Sequence, residues 1–487
     1  MALLSISTIA LFTEALSNSI GYMIRSLFSK KNTQVAKQKE LVHNAYFNSL
    51  RNLNYERLDK DGHVYLDYTG GNLYSSLQLD KHIELLSNNT FGNPHSTNPT
   101  SQLSTRLVEE AREKIISFFN AGDYYCVFTL NASGALKIVG ECYPFKDNGH
   151  FLLLTDNHNS VNGIREYCNN SGGHYEYVPM NNVDLSISRE NLMQCLKASK
   201  RKNKLFAFPA QSNVSGIKHD LSWISKAQEL GWDVLLDAAA FVPTSILDLK
   251  KYSPDFVSIS FYKIFGYPTG LGCLLVKKTS FNTLDKKWFA GGTVNLASAK
   301  APYHFLADGH ERYENGTLNY LDIPALKIGL EYMESIGMQR LNERIDSLMD
   351  YLFANLKEMQ HSNGNPQLEI FGHPTRKNTG GTLVLCFKNP DESKIGFEKI
   401  EQLANQRNIS IRSGCFCNPG LDETNNCLTT QEISDYFKSR DSGDYYDMIN
   451  HLNKMRGATR VSVGIATNKK DLDTFLKFVA SLKDRTL

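Results

Sequence analysis

The sequence predicts an α/β fold around a mainly parallel sheet, and three observations carry that expectation. From Tyr65 onward, short apolar runs rich in β-branched and aromatic residues alternate with longer stretches of helical period. The chain has 487 residues, about three times a 150-residue domain unit, enough for a large core and a second domain. With 41% hydrophobic and 11% aromatic residues it has the material to fill that core, which excludes a disordered tail protein. Lys and Arg number 53 against 51 Asp and Glu, a net charge of +2, so a nucleic-acid partner held by bulk positive field is not expected.

The elements follow in order. Between Met1 and Phe28 only Glu14 and Arg25 are charged, ahead of Lys30 and Lys31. No basic residue precedes Leu3 and Glu14 interrupts the apolar run, which is poor for a signal peptide. Ser5, Thr8, Thr13 and Ser17 dilute it below the roughly 20 apolar residues of a membrane span. Residues 1–45 are therefore expected to form a partly ordered extension, with targeting or a surface anchor left open. Strands are predicted at Tyr125 to Thr129, Phe151 to Thr155, Leu205 to Pro209, Val234 to Leu236, Phe256 to Phe261 and Gly272 to Val276. A helix is predicted over Leu103 to Phe119, where Leu107, Ala111, Ile115 and Phe118 or Phe119 share a face. These belong to a large domain over 46–318, whose first part can pack on a smaller α/β domain over 319–487. In that smaller domain Pro324 opens a helix through Ile336, and Thr382 to Phe387 and Arg460 to Val463 are strands. The cluster Lys200, Arg201, Lys202 and Lys204 sits just before an apolar strand and reads as a solvated loop. No internal repeat occurs, and no GxGxxG follows a strand, so a dinucleotide fold lacks support.

Chemistry concentrates at strand ends. Asp237 closes the apolar run Val234 to Leu236, and Lys263 follows Phe256 to Phe261. Both then project where open α/β sheets bind ligands. A lysine there must be neutralised, paired or made into an imine, because a bare buried ammonium is expensive. Pyridoxal phosphate meets that need: it requires a Schiff-base lysine and a carboxylate that keeps its pyridine nitrogen protonated. Spacing alone leaves a structural Asp and Lys equally open. Phe128 to Ala135 runs from a strand into a helix and would aim backbone N–H groups and Ser133 at an anion, with Ser260, Tyr262 and the turn Thr269 to Gly272 nearby.

Four segments together make a resemblance specific: Ser260 to Gly272 (SFYKIFGYPTGLG), Asp156 to Ser160 (DNHNS), Gln211 to Gly216 (QSNVSG) and Arg412 to Gly420 (RSGCFCNPG). They resemble the class V aminotransferase and cysteine desulfurase family, in particular its branch formed by the aminotransferase-like domain of the molybdenum cofactor sulfurases. Tyr65 to Asn72 and Phe91 to Ser96 fit as well, and the likeness extends to about Phe478. It implies a fold-type I pyridoxal phosphate transferase, a homodimer with the active site between subunits, and L-cysteine as substrate.

By that resemblance Lys263 carries the cofactor, Asp237 pairs with the pyridine nitrogen and His158 stacks on the ring and helps move protons. Asn213 resembles the residue at the phenolic oxygen; Ala132, Ser133, Ser260 and Tyr262 resemble the phosphate cradle; Thr317 resembles a phosphate ligand lent by the neighbouring subunit. Arg460, with Arg412 as a second candidate, would clamp the substrate carboxylate. Cys417 would accept sulfur as a persulfide, its loop loosened by Gly414, Pro419 and Gly420. Cys415 also matches the sulfurase pattern. Nine cysteines, an odd number, are too scattered for a disulfide framework and suit a reducing, cytoplasmic setting. Cys415, Cys417 and Cys427 lack a fourth ligand at a usual spacing, so no metal is expected.

Three departures bear on the acceptor. Ala240 stands where many desulfurases carry Gln, Leu421-Asp422-Glu423 replaces an Ala-Cys pair after Gly420, and Leu487 leaves no room for a molybdenum-cofactor-binding domain. The sequence thus predicts an L-cysteine desulfurase with an unidentified acceptor. The rivals are another reaction of the same cofactor, such as C–S lysis or transamination, and an idle interaction protein on the same fold.

Overall fold

The computed structural model describes residues 41–146, 148–372 and 375–487. The expectations for the leader up to residue 40 lie outside them. Seven strands form the central sheet: β1 (Tyr124–Thr129), β2 (His150–Leu154), β3 (His174–Val178), β4 (Lys204–Pro209), β5 (Asp233–Asp237), β6 (Phe256–Ser260) and β7 (Gly272–Lys277). Their order is β1-β7-β6-β5-β4-β2-β3. All are parallel except β7, which runs against both β1 and β6. This is the fold-type I α/β architecture expected.

The apolar runs are nearly continuous because both faces of the sheet are covered. Phe151, Leu153, Leu205, Ala207 and Leu235 are buried on one face, and Leu152, Leu154, Phe206, Phe208, Val234 and Leu236 on the other. Six of the seven strands fall where the sequence places them. The missed one, β3, reads His-Tyr-Glu-Tyr-Val and lies at the sheet edge, its first two residues exposed, so it lacks the continuous apolar run that marks an interior strand.

Six helices position the site or tie the layers: α1 (Asn44–Asn54), α2 (Pro99–Phe118), α3 (Ala132–Cys142), α4 (Phe261–Phe265), α5 (Ile323–Ile336) and α6 (Pro419–Asn425). The predicted start of α2 moves from Leu103 to Pro99, because the Asn98 side chain caps it by accepting from Ser101 N and Pro99 takes the first turn. Helix α5 starts as Pro324 predicts and packs on α2 and α4. Gly329 lets it approach so closely that a Cβ there would strike the Phe265 ring. None of the described helices is long and apolar enough to cross a membrane.

A second sheet, antiparallel throughout, is built from β8 (Leu368–Phe371), β9 (Thr382–Phe387), β10 (Arg412–Gly414) and β11 (Ala458–Ser462) in the order β8-β9-β11-β10. The chain before the large sheet packs onto this layer. Val64–Tyr65 pair in parallel with Ile409–Ser410, and Arg51 of α1 reaches Asp471 at 2.6 Å in a buried ion pair. Lys200, Arg201 and Lys202 lie in the loop before β4, and Lys204 opens the strand, its Nζ donating to the Leu230 carbonyl at 2.6 Å.

Candidate active site

Strands β1, β2, β4, β5 and β6 point the same way, and the segments leaving their C-terminal ends converge on one cavity of about 190 Å³. Asn131, Ala132, Ser133, His158, Gln211, Asn213, Asp237, Ser260, Tyr262 and Lys263 line it. Every expected cofactor contact of the chain's own subunit is thus gathered in one place.

Asp237 ends β5, buried, with Oδ1 accepting from the Ser258 hydroxyl at 3.0 Å and from Ala239 N at 3.1 Å. These two bonds fix the carboxylate's direction. Lys263 stands on α4, the short helix that turns out of β6. Burial pushes its ammonium pKa down; Asp237 works against this, while the Arg460 and Arg412 charges add to it. On the α3 side, Asn131 caps the helix by accepting from Gly134 N at 3.0 Å, leaving the first turn facing the cavity. The Ser133 and Ser160 hydroxyls meet at 2.6 Å beside it.

His158 is held by its own loop: Nδ1 accepts from Ser160 N at 3.1 Å. Burial lowers the imidazole pKa from 6.5, Lys263 and Arg460 lower it further, and Asp237 opposes them. The ring therefore holds a proton less readily than a free imidazole.

The cysteine loop is seated on this assembly rather than hanging free. Asn159 N donates to the Cys417 carbonyl at 2.7 Å. Asn213 Nδ2 donates to the Phe416 carbonyl at 2.9 Å, and Asn418 Nδ2 donates to Asn213 Oδ1 at 3.0 Å and to the Asp156 carbonyl at 2.7 Å. A Cβ at Gly420 would land on the Thr155 carbonyl oxygen, so glycine permits the contact. Phe416 and Cys417 both take left-handed backbone, at φ 56° and 54°, an unfavourable geometry for side-chain-bearing residues that these bonds sustain. Cys417 is exposed, whereas Cys415 is half-buried with its thiol pKa raised by burial. Downstream, Asp422 is buried and accepts from Arg456 Nε at 2.8 Å, Gly457 N at 2.9 Å and the Tyr445 hydroxyl at 3.0 Å. The departure after Gly420 thus supplies a structural anchor for α6.

Four expected residues lie outside the cavity wall: Cys417 on its docked loop, and Arg460, Arg412 and Thr317. Arg460 is buried, donating to the Asn213 carbonyl and to Asp67 Oδ1, both at 2.8 Å. Arg412 is half-exposed and donates to Asp67 Oδ2, also at 2.8 Å. One carboxylate therefore holds both arginines, leaving Arg460 Nε buried without a partner. Thr317 is exposed on the surface, away from the cavity.

Residue types alone left several members unassigned. Gln211 lines the cavity with a buried Oε1 that has no partner; it lies two residues before Asn213 in the recognised motif. Asn131 could have been found as the cap residue opening α3. Asp67 lies in the Tyr65 to Asn72 segment that fits the family, but its role depends on β10 and β11, far along the chain.

The chain is similar to several known proteins. The molybdenum cofactor sulfurase 3 of Aedes aegypti is 36% identical over 442 residues, covering 85% of this chain and 56% of that protein. The molybdenum cofactor sulfurase of Arabidopsis thaliana is 34% identical over 473 residues, covering 89% and 57%. The chain spans just over half the length of these relatives. The apo structure of a cysteine desulfurase from Thermococcus onnurineus NA1 superposes with a TM-score of 0.74 at 21% identity, covering 91% of this chain and 98% of that one. The family model for class-V aminotransferases matches residues 64–475, a span that takes in the lysine, the aspartate and the docked cysteine loop, and the chain belongs to that family.

Proposed function

We propose that the chain is a pyridoxal phosphate-dependent L-cysteine desulfurase that collects sulfur on Cys417 for transfer to an acceptor. The observation that carries the reading is the placement of an exposed thiol on a loop bonded directly to the His158 loop and to Asn213, beside a cavity with Lys263 and Asp237 in its walls. The sulfurase and desulfurase names of the similar proteins support it.

The donor set fits the cofactor. An amine of depressed basicity, an oriented carboxylate and a helix N-terminus with two hydroxyls surround one space. Bound there, pyridoxal phosphate would supply the electron sink that weakens bonds around an amino acid's α-carbon. Lys263 would hold the aldehyde and carry a proton at Nζ. Asp237 would keep the pyridine nitrogen protonated, and the α3 N-terminus with Ser133, Ser260 and Tyr262 would hold the phosphate. Asn213 already donates through Nδ2 to the cysteine loop, so reaching the ring oxygen would require that amide to be shared. Arg460 would bind the substrate carboxylate, sharing it with Asp67's present hold. In the net step the Cβ–S bond of cysteine breaks, the Cys417 thiolate takes the sulfur as a persulfide, and a proton replaces it on carbon to give alanine. The proposal includes a homodimer in which Thr317 completes the phosphate site of the neighbouring subunit. Cysteine usage supports a reducing compartment such as the cytoplasm.

The test is alanine and protein-bound persulfide formed from L-cysteine, with Cys417→Ser beside the wild type. Equal amounts of both in the first turnover, lost together in the variant, are expected. Cysteine consumption that survives the substitution, or yields no alanine, would overturn the persulfide route.

A further inference from the structure

At the opposite ends of the strands from the cavity, a second cluster stands that the reaction does not use. His150 opens β2 and His174 opens β3, directly paired across the two parallel strands. Glu176 lies two residues along β3 and so shares a face with His174. One ligand atom from each of these three lies within 4.8 Å of the others.

His150 carries the argument. It is 4% exposed, and its Nε2 has no hydrogen-bond partner. Its Nδ1 lies 2.7 Å from the Ser199 hydroxyl; the tautomer that donates there presents an Nε2 lone pair toward the cluster. Glu176 Oε2 is 3.6 Å from that nitrogen, beyond a hydrogen bond but close to the separation of two ligands on one small cation. The carboxylate's other oxygen accepts from the Cys195 thiol at 3.5 Å, which turns Oε2 toward the histidines. The ring is wedged between His174 and Trp232, with centroids 5.0 and 5.1 Å away, so it cannot swing to another partner. Two nearby cations are engaged elsewhere: Arg201 donates to the Gly149 carbonyl and Lys204 Nζ to the Leu230 carbonyl.

We propose that His150, His174 and Glu176 form a site for one divalent transition metal ion of the Zn²⁺ type, with water in the open position. Two imidazoles and a carboxylate are the ligand chemistry such ions prefer over Mg²⁺ or Ca²⁺. The ion would tie β3, the edge strand, to β2. The ion would stabilise the folded chain by mass action without touching the cavity.

The experiment titrates Zn²⁺ alone into the purified full-length holoprotein, reading stoichiometry by calorimetry and the shift in Tm. Wild type is expected to bind one more Zn²⁺ per chain than His174→Ala or Glu176→Gln, and to gain a Tm increase that both variants lack. Both side chains lie outside the core, so the variants should melt like wild type without zinc; binding at the exposed cysteines would persist in them and subtract out. Ser199→Ala, which frees the tautomer, is expected to weaken binding by about tenfold or more. Equal stoichiometry and Tm shift in wild type and both variants, or wild-type binding only at millimolar zinc, would overturn the site.

Discussion

His158 shows how much one side chain can be asked to do. Its ring borders the cavity while its Nδ1 is spent on Ser160 N, leaving the other ring nitrogen for chemistry. His158→Phe keeps a flat face against the cofactor but removes the base, so it should retain cofactor absorbance while kcat falls about 10²-fold. His158→Ala should lose both. The sign of the pH effect follows from burial, which lowers the imidazole's pKa, so the acid limb of kcat should lie below that of a free imidazole. As pH falls below 6.5 the unfolded chain takes the proton first, so the same ring lowers stability in acid. A limb that is unchanged in His158→Phe would assign it to another group.

At the scale of elements, the docked cysteine loop depends on a missing methyl. Gly420→Ala should push α6 and the loop off the Thr155 carbonyl, costing about 1–3 kcal/mol by overpacking and lowering persulfide yield more than cysteine binding. Thermal melts and single-turnover assays would separate the two effects. Here the limits of the sequence become visible. Val234 to Leu236 and Phe256 to Phe261 announce their strands because both faces are apolar, and Asp237 and Lys263 at their ends mark the site. His174–Val178 does not, because an edge strand tolerates polar residues. The grip of Asn213 on Phe416, and of Asp67 on two arginines, joins residues hundreds of positions apart. No local periodicity encodes such contacts; the motifs flagged Asn213, Arg412 and Arg460 as important without saying what each would touch.

For the whole molecule, the proposed homodimer would make assembly a matter of chemistry, since in that reading the exposed Thr317 serves the neighbouring subunit's site. Thr317→Val should weaken cofactor retention, since a hydrogen bond to a charged group is worth about 1.5–3 kcal/mol. Mixing that variant with Lys263→Ala should restore activity, because a mixed dimer contains one site with an intact lysine and an intact threonine from the other subunit. No recovery on mixing would place Thr317 in the site of its own chain, or outside it.

The backbone bond from Asn159 to Cys417 also bears on how cargo would leave in the proposed reaction. In the proposed reaction that bond restrains the Cys417 backbone, so the exposed thiol would receive and give sulfur with little travel of its loop. An acceptor would then bring its own nucleophile to the exposed thiol. Delivery is then selected by the visitor's shape more than by the host's reach.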